Sequence, residues 1–253
     1  MLRSALFLLC LLLVAPAALA QAETDEPPPL DPNGTRLFLS PTARTMSQGQ
    51  GRFSDYWVFF PSLAYGFTDW LDASVGVSLV PGLSFQLLTL NAKARVLSTG
   101  TVDVAVGNLV VTPVGEGTGE GFGGTAYGLV TVGSAREAFT VGTYVAYAGL
   151  DVSETTCSGD VCETEDNFDF GVANGVVFML GGEVQVSNSA KLMTENYVGF
   201  GGGEAGGLAS FGVRFFSDQI AVDLALSRPF DAGNDAGGWP LIPYLAFAYN
   251  FGR

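Results

Sequence analysis

Residues 65–82 read YGFTDWLDASVGVSLVPG. Beyond the FTDW turn the chain alternates: Leu71, Ala73, Val75, Val77 and Leu79 point one way, and Asp72, Ser74, Gly76 and Ser78 the other. A period of two with one apolar face and one small or polar face marks a β-strand. Which medium that apolar face meets, a protein core or lipid, decides the fold. Other stretches repeat the pattern. Ile220, Val222, Leu224 and Leu226 oppose Ala221, Asp223, Ala225 and Ser227; Ala209, Phe211, Val213 and Phe215 oppose Ser210, Gly212 and Arg214. Around 101–111, Val102, Val104, Val106 and Val110 share a side with Asn108, against Asp103, Ala105 and Gly107. Apolar faces that filled a sandwich core would leave the opposite faces in water, rich in Lys and Glu. Here those faces carry Gly, Ala, Ser and isolated charges, as an enclosed lumen would. The apolar faces are therefore expected to meet lipid.

Composition agrees. Only 14% of the residues are charged against 48% hydrophobic, where a soluble domain carries about 25% charged. Thirty-four glycines disfavour long helices. After residue 20 no stretch is apolar enough for a transmembrane helix. At the N-terminus, Arg3, the apolar run ALFLLCLLLVAPA and Ala18-Leu19-Ala20 form a secretory signal peptide with cleavage expected after Ala20. Cys10 lies within the apolar run, away from the cleavage point, so a lipoprotein is not indicated. The mature chain then holds 10 basic against 25 acidic residues. Such a chain, lacking a basic cluster, is a poor partner for nucleic acid.

The expected organisation is a signal peptide over 1–20, a flexible acidic, proline-rich lead over 21–34, and one domain over 35–253. Twelve strands fit best, with ten or fourteen also compatible. They include strands at 35–45, 53–66, 70–81 and 168–187. Short connections at FTDW, STGT, SARE, SNSA and FSDQ alternate with longer ones at 46–52, 113–123, 151–167, 201–206 and 229–240. Closed outer-membrane barrels have this asymmetry, with short periplasmic turns and longer outer loops. The fold class is thus all-β: a single closed antiparallel transmembrane β-barrel. Trp57, Trp70, Tyr65, Tyr127, Tyr147, Trp239 and Tyr249 are candidates for the aromatic girdles at the two interfaces.

The C-terminal YLAFAYNFGR resembles the terminal strand signal of bacterial outer-membrane β-barrel proteins, the porin-like superfamily. Leu245, Phe247, Tyr249 and Phe251 supply its alternating apolar set, and Gly252-Arg253 depart from it by following the usual last aromatic. YGFTDWL is also similar to the periplasmic hairpin turns of these proteins. The resemblance covers residues 35–251. It implies residence in the outer membrane of a Gram-negative-type cell, contact with lipid and lipopolysaccharide, and recognition of the last strand by the barrel assembly machinery. It implies no particular cargo, and the oligomeric state is left open.

The chain has no histidine, which excludes Ser-His-Asp triads and His-based zinc sites. The known barrel phospholipases, proteases and lipid A acyl-chain enzymes rely on that residue, so none of their sites carries over. A carboxylate-only lipid- or glycan-modifying enzyme is formally possible, and substitution of a lumen acid such as Glu183 would test it. Gly119-Glu-Gly121-Phe-Gly-Gly124 satisfies a nucleotide-type spacing but is followed by a strand, TAYGLVTV, and flanked by Glu116 and Glu120. Without a helix N-terminus to hold phosphate it reads as a loop. The acidic stretch 151–169 lacks EF-hand spacing; it could bind Ca²⁺ or Mg²⁺ or bridge to lipopolysaccharide phosphates, or be a solvated loop stiffened by a Cys157–Cys162 disulfide. That pairing suits an exported chain. No cofactor or resident metal is called for. Alternation places Lys93, Arg95, Asp103, Glu183, Arg214 and Asp223 in the lumen, with Glu195 beside them. Two readings follow: an ion-pair network that plugs a narrow interior, or a polar path for small solutes through a non-enzymatic channel.

Overall fold

The computed structural model describes residues 30–115, 121–158, 161–201, 204–231 and 241–252. The signal peptide and most of the 21–34 lead lie outside the described residues, as do Trp239 and the side chains of Cys157, Cys162 and the acidic residues 151–166. Thirteen β-segments form one antiparallel sheet. They are β1 (Gly51–Tyr56), β2 (Phe60–Thr68), β3 (Leu71–Val77), β4 (Phe85–Ser98), β5 (Val102–Gly115), β6 (Gly121–Gly133) and β7 (Glu137–Ser158). The rest are β8 (Val161–Val172), β9 (Gly175–Ser187), β10 (Ala190–Gly201), β11 (Glu204–Phe216), β12 (Ile220–Asp231) and β13 (Ile242–Phe251).

Apart from β8 and β9, each segment pairs with its neighbours in sequence, and β1 pairs with β13, which closes the sheet. β7 pairs with β9 over Glu137–Tyr144 and with β8 from Tyr147 onward. β8 and β9 thus occupy one position in the wall, and the barrel has twelve strands. Closure removes the exposed edges that an open sheet would present.

The faces are inverted relative to a soluble protein. Along β13, Leu245, Phe247, Tyr249 and Phe251 are exposed on the outside, while Tyr244, Ala246, Ala248 and Asn250 are buried inside. Along β3, Asp72 is buried and Val75 exposed. The exposed side chains include many large Leu, Val, Phe, Tyr, Trp and Ile, whereas the buried set includes Arg52, Asp72, Lys93, Asp103, Glu183, Lys191, Glu195, Arg214 and Asp223. Such a surface is stable only in hydrocarbon, and the answer to the question posed by residues 65–82 is lipid.

Twelve was reached from sequence through two offsetting assignments. Residues 35–45 are not a wall strand: Leu37, Phe38, Ala43, Arg36 and Thr42 are buried, and the segment folds up inside the lumen. The 46–52 connection is consequently no outer loop; it leads from the lumen to β1 on the periplasmic side, where Gly51 lies opposite Phe251. Pro41 in the middle of 35–45 is the local reason, since it cannot donate to a ladder. Conversely, 53–66 is two strands. Trp57 and Val58 adopt positive φ of 51° and 68°, and Phe59 N–H donates to Tyr56 C=O at 3.2 Å. This two-residue reversal normally takes Asn-Gly, so nothing in WVFF signals it. Its conformation is held by Trp57, whose backbone N–H donates to Leu245 C=O at 2.9 Å and whose indole N–H donates to Pro243 C=O at 2.8 Å. β1 has six residues, about 20 Å along the strand at ~3.3 Å per residue. That is less than the ~25 Å apolar band once tilt is included. The exposed apolar tip Trp57-Val58-Phe59 therefore sits at lipid depth, which accounts for an outer reversal without polar residues.

On the opposite side the wall is tallest. Residues 151–167, expected as a loop, largely continue the ladder as the β7–β8 hairpin, and Cys157 lies opposite Cys162 in its backbone register. The 113–123 and 201–206 connections are likewise shortened, because β5 runs to Gly115, β6 starts at Gly121, β10 runs to Gly201 and β11 starts at Glu204.

Candidate functional site

The lumen has two storeys. The lower, periplasmic one is filled by residues 30–46, here called the plug. A tight reversal shapes it: Leu37 N–H donates to Ser40 C=O and Thr42 N–H to Thr35 C=O, both at 2.9 Å, and Arg36 bridges to Pro41. Leu37 packs directly on Gly181, where any Cβ would strike its side chain.

Three charged plug residues are each met by the wall. Asp31 lies 2.9 Å from Arg214 and 3.2 Å from Lys191. Arg36 lies 3.1 Å from Asp223 and 4.4 Å above the Tyr56 ring. Arg44 lies 2.9 Å from Glu183 and 3.9 Å from Asp103. Burial would raise the Asp31 carboxyl, but the Arg214 and Lys191 cations outweigh it and hold the group at about 2.

The wall also grips the plug backbone, whose N–H and C=O groups have no ladder to join. Arg214 donates to the carbonyls of Asn33, Arg36 and Leu37 at 2.8–3.1 Å, and holds Asp223 at 2.6 and 2.9 Å. Lys93 donates to the carbonyls of Thr35, Thr42 and Arg44 and lies 3.5 Å from Asp72. Among the described residues Glu195 has no cationic partner. Its carboxylate accepts the backbone N–H groups of Phe38, Leu39 and Ser40 at 2.7–3.3 Å and the Tyr197 hydroxyl at 2.5 Å. Asp72 accepts the Met46 N–H at 3.0 Å, and Thr131 the Ala43 N–H at 2.9 Å.

All seven charged residues singled out from sequence lie on lumen-facing positions, and six of them contact the plug. Arg95 does not; it lies 3.6 Å from Asp103 and donates to Asp69 C=O at 2.7 Å. Wall charges do pair across the lumen face, Arg214 with Asp223 at 2.6 Å and Arg95 with Asp103 at 3.6 Å; what neither sequence reading included is the folded-in segment that the same groups hold. Sequence reasoning missed Asp31, Arg36 and Arg44, and with them Lys191. The two arginines flanking Pro41 in TRLFLSPTAR were the available signal, since a lipid-facing strand would not carry that pattern.

The upper storey begins at the plug tip. Tyr144, Tyr197 and Tyr244 each sit seven positions above the periplasmic ends of their strands, Glu137, Ala190 and Phe251. The Tyr144 hydroxyl shares a hydrogen bond with Ser40, and Tyr244 donates to Phe38 C=O at 2.5 Å. Above this floor opens a vestibule of about 710 Å³, lined by Thr125, Ala146, Val177, Tyr144, Tyr197 and glycine backbone of β9–β11.

Two girdle candidates have other roles. Tyr127 is buried in the lumen, lies flat over Gly107 and donates to Asn91 at 2.7 Å. Tyr147 lies over Gly124 and donates to Asn108 at 2.6 Å. In both, a glycine on the intervening strand leaves room for the ring to reach an asparagine two strands away. The second case satisfies a polar side chain on the lipid face, where water cannot. Trp57, Tyr65, Trp70 and Tyr249 are exposed on the barrel surface. Among the described residues no cluster of His, Cys, Asp and Glu could hold a metal ion.

No family model matches the chain, and no curated protein matches it in sequence. Solved structures do match in fold. A KdgM porin in complex with disordered oligogalacturonate has a TM-score of 0.52 at 5% identity, covering 81% of this chain and 98% of its own. Another KdgM porin structure has a TM-score of 0.50 at 7% identity, covering 80% and 98%. At these identities the likeness is one of fold: this chain has the outer-membrane β-barrel, porin-like fold.

Proposed function

We propose that the protein is a non-enzymatic channel for small solutes across the outer membrane, closed in the present conformation by its own N-terminal segment. One observation carries this reading. The obstruction is a length of chain outside the wall ladder that leads into β1, with a vestibule above it. A barrel meant simply to be solid could fill its lumen with wall side chains, as small barrels do. The fold neighbours named as porins add support at the level of architecture. Glu183, the acid that an enzymatic reading would use, is engaged by Arg44 and Lys191 beneath the plug.

A sealed structural barrel is the second reading, favoured by the depth of the plug contacts: Lys191 and Arg214 are fully buried. Single-channel recording of the full mature chain in planar bilayers separates the two. Steady ion-selective openings are expected, and silence at all applied potentials would sink the channel reading.

The same reading includes export with removal of residues 1–20, insertion through the β13 signal, contact of the outer hairpins with lipopolysaccharide, and a Cys157–Cys162 disulfide. The register that sets the two cysteines opposite each other on β7 and β8 supports that disulfide.

A further inference from the structure

The vestibule above the plug differs chemically from everything below it. The lower storey is crowded with ion pairs, yet among the described residues lining the vestibule there is no charged side chain. One stretch of wall is Gly175, Gly199 and Gly206 with Val177 among them, and Ala146 and Thr125 continue it on the neighbouring β7 and β6. The floor is aromatic, with the Tyr144 and Tyr197 ring centroids 6.2 Å apart. Both hydroxyls are already committed, Tyr144 to Ser40 of the plug and Tyr197 to Glu195 of the wall. What these tyrosines offer the vestibule is therefore their rings, not their polar ends. Among the described lining, Thr125 carries the remaining side-chain hydroxyl.

From this juxtaposition of an uncharged, glycine-smoothed wall with an aromatic floor, we infer that the vestibule is a binding site for a small neutral solute with an aromatic or aliphatic body and at most one or two polar groups. The inference rests on the channel reading and names the class of its solute. The volume, about 710 Å³, is within the ~300–1,000 Å³ range of small-molecule sites. An anion entering this space would lose hydration without gaining a cation, whereas an apolar ring would release water from apolar surface. Sugar acids and other charged solutes are thus disfavoured. A bound solute would rest directly on the Ser40–Tyr144 and Glu195–Tyr197 contacts that hold the plug tip, so occupancy and plug position share the same residues.

Benzyl alcohol is a suitable probe, with galacturonate as the charged counter-probe, and saturation-transfer NMR on the full mature chain in phospholipid nanodiscs as the measurement. Nanodiscs avoid detergent, which would compete for the site. Saturable benzyl alcohol binding above that of empty nanodiscs is expected, with galacturonate giving none. Ala146→Phe, which places a ring inside the vestibule, should weaken binding at least tenfold. Val177→Asn, of similar size but polar, should weaken it several-fold, and serves if the larger variant fails to assemble. Binding of benzyl alcohol no greater than to empty nanodiscs, saturable galacturonate binding, or insensitivity to an assembled variant would each overturn the inference. Conductance without benzyl alcohol binding would sink this inference and leave the channel reading standing. Binding without conductance would do the reverse.

Discussion

Arg214 is the best single point at which to release the plug. Its guanidinium places its donors on two carboxylates, Asp223 and Asp31, and three plug carbonyls, those of Asn33, Arg36 and Leu37. Arg214→Gln leaves Asp31 with Lys191 and Asp223 with Arg36, but strands the carbonyls in a buried site. Breaking a buried charge pair of this kind costs about 3–5 kcal/mol. At 1.4 kcal/mol per tenfold, the docked-to-released ratio should fall by about a hundredfold to a few thousandfold. The wall should survive. Arg214 sits opposite Asp223 in the β11–β12 ladder, and the backbone bonds of that ladder do not depend on either side chain. The readout is labelling of a cysteine introduced at Ala43, a plug residue fully buried while the plug is docked, in a chain whose Cys157 and Cys162 are serine. Labelling should accelerate by the same factor, with larger or more frequent openings in planar bilayers. Arg214→Lys, retaining the charge but not the planar fork, should fall between. An assembled Arg214→Gln barrel with unchanged labelling and conductance would refute the account of how the plug is held.

Acid should act through Asp31. Its carboxyl, near 3.8 when free, is held at about 2 when docked. A depressed docked value means the stabilisation is fully present above about 4 and is lost as pH falls through about 2; its size is about 2 kcal/mol. Channel openings in planar bilayers should therefore be more frequent at pH 3 than at pH 7, and Asp31→Asn should raise the frequency at pH 7 and flatten the difference; thiol labelling does not serve here, because acid removes the reactive thiolate. Replacing Cys157 and Cys162 together by serine should leave heat-modifiable barrel assembly intact while easing protease nicking of the β7–β8 tip, since so short a ring contributes about 2 kcal/mol or less. Free-thiol labelling of both cysteines in the untreated protein would oppose the disulfide. Leu224, exposed in mid-strand on β12, faces the bilayer interior, and Leu224→Arg should cost about 2–4 kcal/mol. Equilibrium urea unfolding in lipid vesicles measures this, and a change under 1 kcal/mol would place that face outside hydrocarbon.

Sequence alone determined what depends on local periodicity. Alternation in 71–79, 209–216 and 220–227 assigned each side chain to a face, and the scarcity of charge on both faces required lipid outside. The same parity put Lys93, Asp103, Glu183, Arg214 and Asp223 inside, because a strand offers each side chain only two directions. What depends on contacts between distant residues was decided only in three dimensions. Residues 35–45 have enough apolar character to pass for a strand, and their place in the lumen follows from partners 50–190 positions away: Lys93, Glu183, Glu195, Arg214 and Asp223. The reversal at Trp57-Val58 was hidden for a related reason. Its positive φ values are stabilised by Pro243 and Leu245 on the far end of the chain, and no turn-forming residue marks it. Even the charged lumen was legible only as a set of positions. Whether those charges face each other, open water or a folded-in segment depends on what occupies the space between strands, and a one-dimensional pattern carries no record of that space.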